Sequence, residues 1–222
     1  VEAIAAVLPQ DAHVVSEAFT TCVVSGYWSS FKTSLPMLRE MMACAAGRGA
    51  DAVILTNSDI VLARDFYVRV QRLLIDQALP LQTAWSITRR ELPVKKVPYA
   101  DLDAIYAEPG GGHSGHDCFV IPATWLPRLP LADMTVGFSP WGCVVYRLLE
   151  SLGVVKTLHD TFLTFHMTEY PEDMPKGERT RLKREAIRSA SAGTMHNTRE
   201  GLVAFAASAA GNTMARCCST AG

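Results

Sequence analysis

The chain has 222 residues, 49% of them hydrophobic and 19% charged. That is enough apolar surface to bury a core, and it excludes a disordered or low-complexity polymer. With 21 basic residues against 22 acidic ones and a formal charge of −1, no global field draws the protein to nucleic acid or to an anionic membrane.

No apolar run approaches the ~18 residues of a membrane span, so the sequence reads as a soluble protein with no span of its own. It opens Val1-Glu2-Ala3 without an initiator methionine or a basic n-region. That reads as a chain truncated upstream and leaves an anchor or signal open. The cysteines form no Cys-x-x-Cys pair, and Cys22, Cys44, Cys118 and Cys143 sit singly in apolar segments. They read as buried small hydrophobes in a reducing compartment, which favours the cytoplasm over a disulfide framework.

In chain order, the β-branched run at 18–24 predicts a strand. A helix follows, with Ser34 placed to cap it, Pro36 near its first turn and Gly47 and Gly49 to stop it. Residues 51–57 predict an apolar strand that breaks abruptly into polar residues, as in a parallel sheet buried on both faces. Between Ala63 and Gln77 an apolar stripe of Phe66, Val70, Leu73 and Leu74 predicts an amphipathic helix, and 81–88 a further strand. Prolines and the run Pro109-Gly-Gly-Gly-His-Ser-Gly115 make 91–116 a loop, with 107–116 expected to order only around a ligand. Strands at 117–121 and 161–166 flank a helix at 141–152. The alternation predicts a three-layer α/β/α fold with a mainly parallel twisted sheet. Residues 1–170 would form that domain, and 171–222 a helical or partly flexible, charged C-terminal extension.

The strongest local signal is Thr56-Asn57-Ser58-Asp59 at the carboxyl end of a buried strand, where ligands of open α/β sheets bind. Asp59 offers hard oxygens for a cation, and Asn57 lies on the same side of an extended chain. The same residues also suit a turn that caps the next helix. Downstream, Asp117 lies between a glycine-rich run and an apolar strand, Trp141 opens a helix, and an apolar strand ends on His166. Arg89 and Arg90 follow a strand and suit a phosphate or a solvated strand end equally. His113, His116, Asp117 and Cys118 match no closed zinc pattern.

Together, Asn-Ser-Asp-Ile, Gly-His-Asp-Cys-Phe-Val, Pro-Trp-Gly and Leu-Thr-Phe-His resemble nucleotide-sugar glycosyltransferases of the GT-A fold, over residues 35 to about 168. The resemblance implies transfer of a sugar from a nucleoside-diphosphate sugar to an acceptor hydroxyl. It also implies Mn²⁺ or Mg²⁺ at Asp59, which matches the last acid of a DxD-type motif, with His166 or else His159 as late ligand. Asn57, standing where the first acid is commonest, departs from the motif and puts metal dependence in question. On this reading Asn57, Ser58, Arg89, Arg90 and Trp141 bind donor or acceptor, and Asp117 is the catalytic base. Two alternatives stay open: a non-catalytic nucleotide-sugar-binding module, and a metal-dependent nucleotidyltransferase.

Overall fold

A computed structural model describes residues 1–25, 27–29, 34–57, 59–77, 81–92, 101–131 and 141–167. Ser58, the proline of Pro-Trp-Gly and the expected extension at 171–222 therefore lie outside the described residues. Among the described residues the chain falls into two compact units, one built from Val1–Ala50 and Ala123–Leu152, the other from Asp51–Pro122 and residues 153–167. No described helix is long and apolar enough to cross a membrane.

In the first unit β1 (Ile4–Val7) and β2 (Thr20–Val23) pair in parallel, and β3 (Tyr27–Ser29) and β4 (Ser34–Pro36) pair as an antiparallel ribbon. Helix α1 (Leu38–Ala45) buries Leu38 and Met42, one turn apart on a single face. Ser34 belongs to β4, and the N-cap position of α1 is Met37. A disulfide joins Cys22 of β2 to Cys44 of α1, with Cα atoms 6.1 Å apart. This overturns the reading of these two as isolated buried thiols and removes the cysteine argument for a reducing compartment. Nothing in their spacing announces the bond, because only tertiary packing brings the two Cβ atoms within reach.

The second unit holds a six-stranded sheet. Its strands are β5 (Ala52–Thr56), β6 (Ile60–Leu62), β7 (Thr83–Leu92), β8 (Gly111–Pro122), β9 (Val154–Leu158) and β10 (Thr164–Met167). The order is β5-β8-β7-β10-β6, with β9 also on β7. Strand β8 runs antiparallel to both β5 and β7, and β10 is antiparallel to β6; only β9 and β10 lie parallel to β7. The expected mainly parallel α/β/α sheet is thus corrected to a mixed, mostly antiparallel one. Two features explain the difference. Continuous apolar runs report burial on both faces but carry no direction. The stretch expected as a loop at 91–116 contains the end of β7, helix α3 (Leu102–Ala107) and the first half of β8, so the chain returns antiparallel beside β7 instead of crossing over. Strand β2, expected in this sheet, pairs with β1 in a separate two-stranded sheet among the described residues.

Helix α2 (Phe66–Ile75) forms from the predicted stripe. Phe66 and Val70, four residues apart, pack with Trp85 and Ile87 of β7, Cys118 and Val120 of β8, and Leu163. The carboxylate of Asp101 caps α3 by accepting the Ala104 N–H at 2.9 Å. This places Ile105 against Leu92 and Phe165, a second small core at the far end of β7.

Candidate functional site

Strand β10 lies between β6 and β7, pairing His166 with Ile60 on one side and with Glu91 on the other. Asp59 immediately precedes Ile60, so this register brings Asp59, His166 and Glu91 together. The His166 ring bridges the two carboxylates: Nε2 lies 3.2 Å from Asp59 Oδ2 and Nδ1 lies 2.9 Å from Glu91 Oε2. Asp59 and His166 meet as expected, but the agent is antiparallel pairing rather than two parallel strand ends.

The network continues along β7. Residues 89 and 91 share a face of the strand, and Arg89 donates from Nε to Glu91 Oε1 at 2.7 Å and from its guanidinium to Asp117 Oδ2. Between Ile87 and Arg90 the pairing with β8 shifts register: Ile87 opposes Cys118, Thr88 opposes His116, and Asp117 is left as the extra residue. Such bulges re-aim side chains, and here the side chain is the carboxylate that meets Arg89. The result is an alternating chain of charge, Asp59–His166–Glu91–Arg89–Asp117.

The electrostatics follow from that alternation. The hydrogen bond to His166 holds Asp59 below the usual carboxylate range, against the opposing effect of burial. Burial also opposes ionisation of Glu91, but hydrogen bonds and charge from His166 and Arg89 outweigh it and bring the carboxyl down to about 2. Burial disfavours the His166 imidazolium, yet its bonds to Asp59 and Glu91 raise it to about 9. At neutral pH the ring is therefore a cation that donates from both nitrogens.

Two oxygens stand apart from this pairing. Asn57 Oδ1 and Asp59 Oδ1 are buried without a hydrogen-bond partner, an exception among buried polar atoms that requires an explanation. Both are hard oxygen donors, and a divalent ion that takes one or two protein ligands and completes its shell with phosphate and water suits them. Among the described residues no three His, Cys, Asp or Glu side chains group to hold a metal, and His166 offers a ligand nitrogen only after losing a proton.

Other expected residues lie as follows. Arg90 points its guanidinium to the Pro109 and Gly110 carbonyls and to Asp160, so its donors are engaged by the chain itself. Trp141 opens α4 (Trp141–Leu152) in the first unit and is buried there. His159 is exposed. His116 shares a 2.6 Å hydrogen bond with the buried Ser86. Sequence reasoning passed over Glu91, although Arg-Arg-Glu at the end of an apolar strand, with its alternate residues on one face, carried the signal.

No family model, curated protein or solved structure matches the chain.

Proposed function

We propose that the protein transfers a sugar from a nucleoside-diphosphate sugar to an acceptor hydroxyl, with Mn²⁺ or Mg²⁺ held by Asp59 and Asn57. The observation that carries this reading is the pair of buried, unpartnered oxygens on these two residues at the carboxyl end of β5. The resemblance of the four motifs to nucleotide-sugar glycosyltransferases supports it. When bound, the ion supplies Lewis-acid neutralisation of the leaving diphosphate. The chain's own residues do the rest. His166 fixes one oxygen of Asp59 and leaves the other to the ion, while Glu91 and Arg89 hold the ring in that orientation. Asp117 takes the proton of the acceptor hydroxyl once its pair with Arg89 opens.

That engaged state of Asp117 favours a second reading, a module that binds nucleotide-sugar without transferring it. Incubating the purified protein with a panel of nucleotide-sugars and Mn²⁺ separates the two. Transfer or hydrolysis that releases nucleoside diphosphate, and is lost in Asp59→Ala, is the expected result. Binding without release selects the module, and release of pyrophosphate selects nucleotidyl transfer. Failure of every donor to bind refutes the proposal.

A further inference from the structure

The connection from β9 to β10 contains two non-glycine residues in left-handed backbone, Asp160 at φ +48° and Phe162 at φ +53°. A bulky aromatic seldom adopts this conformation, and such strain persists where surrounding contacts over-determine it. Arg90 provides those contacts. Its guanidinium donates to Asp160 Oδ1 at 3.3 Å, to the Gly110 carbonyl at 2.6 Å and to the Pro109 carbonyl. The same group lies over the Phe162 ring, 4.1 Å from its centroid. Gly112 leaves the necessary room, since a Cβ there would sit 2.6 Å from Asp160 Oδ1.

Despite these restraints Phe162 remains 45% exposed. A benzyl side chain in strained backbone, with a cation over its ring and nearly half of its surface open to water, gains less for the core than full burial would bring. It is arranged instead to present a rigid aromatic surface. The cation selects what that surface accepts. An unperturbed phenyl face is negative and attracts the polarised C–H groups of a sugar, whereas a guanidinium behind the ring offsets that quadrupole and favours another π system stacked in front.

We propose that Phe162 is a stacking platform for a planar heteroaromatic ring, the base of the nucleoside diphosphate. The assignment of that ring to the donor rests on the glycosyl-transfer reading above; the platform itself rests on Arg90 and Phe162.

The test is calorimetric titration of the full chain with uridine, guanosine and adenosine 5′-diphosphates in Mg²⁺, with inorganic pyrophosphate and methyl glucoside as ligands lacking a base. The expected result is that at least one nucleoside diphosphate binds about 5- to 150-fold more tightly than pyrophosphate, the range of base–aromatic stacking. Phe162→Leu, which keeps an apolar side chain without a π face, abolishes that advantage, and Phe162→Trp preserves it. Circular dichroism checks that both variants fold. An unchanged preference in Phe162→Leu overturns the platform, as does the absence of any preference over pyrophosphate in the wild type. Loss of methyl glucoside binding in Phe162→Leu overturns it in favour of a sugar site. Should the base preference depend on Phe162 while no donor sugar is transferred, the platform stands and the transferase reading falls.

Discussion

The two halves of β7 share one neighbour, β8, along the same edge and carry opposite kinds of residue. From Ala84 to Thr88 every side chain is buried, and Trp85 and Ile87 pack into the core beneath α2. From Arg89 to Glu91 the strand is charged and half-buried, with Arg89 and Glu91 paired within the Asp59–Asp117 network and Arg90 paired with Asp160. The change falls where the register with β8 slips and where the partner on the other edge passes from β9 to β10. The lesson is that one strand joins a packing surface to an electrostatic one, and a bulge makes the joint. Burial in the first half needs shape and, for the hydroxyls of Ser86 and Thr88, one hydrogen-bond partner each. Burial in the second needs each charge to find its opposite.

Breaking that contrast begins with Arg89. Its side chain is 16% exposed and pairs with Asp117 and Glu91, so Arg89→Met takes the guanidinium from Asp117 in a partly dry setting and leaves Glu91 to His166. The expected loss is about 3–5 kcal/mol, as for breaking a buried pair from one side. Ile87→Ala, two residues away in the apolar half, removes a fully buried side chain and is expected to cost about 2–5 kcal/mol through lost transfer energy and a residual cavity. Urea unfolding of both variants in low and high salt separates the mechanisms: the Arg89 effect shrinks with salt and the Ile87 effect does not. Equal salt responses would deny that the halves are stabilised differently.

Next comes pH. His166 rises from 6.5 to about 9 on folding, so its contribution is complete below pH 6.5 and disappears as pH climbs through 9. Glu91 falls from 4.5 to about 2, so its contribution is complete above pH 4.5 and is lost as pH drops through 2. The network is therefore strongest between pH 4.5 and 6.5. The wild-type urea midpoint should fall on both sides of that window, and His166→Gln should flatten the alkaline fall specifically. An alkaline slope unchanged in the variant would show that His166 does not carry it.

How much of this was legible in the sequence varies by interaction range. The periodicity of Phe66, Val70 and Leu73 marks α2, and the apolar run before Asn57 marks β5, because both signals are local. Strand direction was not legible: it depends on whether 93–110 crosses over or returns, and prolines and glycines in that stretch hid both α3 and the start of β8. From the sequence, Asp59 and His166 are expected to meet around a cation and the structure joins them by a direct hydrogen bond, whereas the role of Glu91 is hidden because it depends on lying opposite His166 in a parallel register. The Cys22–Cys44 bond and the left-handed backbone at Phe162 leave no local trace, since each is imposed by distant chain.

The smallest expected effect concerns Asp160. Its distance to Arg90, 3.3 Å, is that of an ordinary ion pair, but its side chain is 71% exposed, against 10% for Asp117 on Arg89. An exposed pair contributes about 0–1 kcal/mol once solvent screening and side-chain entropy are counted. Asn tolerates the left-handed backbone as well as Asp does, so Asp160→Asn removes the charge without adding strain. The variant should unfold within about 1 kcal/mol of the wild type. A larger loss would mean that the carboxylate itself holds the turn beneath Phe162, and that the charged end of β7 depends on this exposed pair as well as on the half-buried network around Glu91.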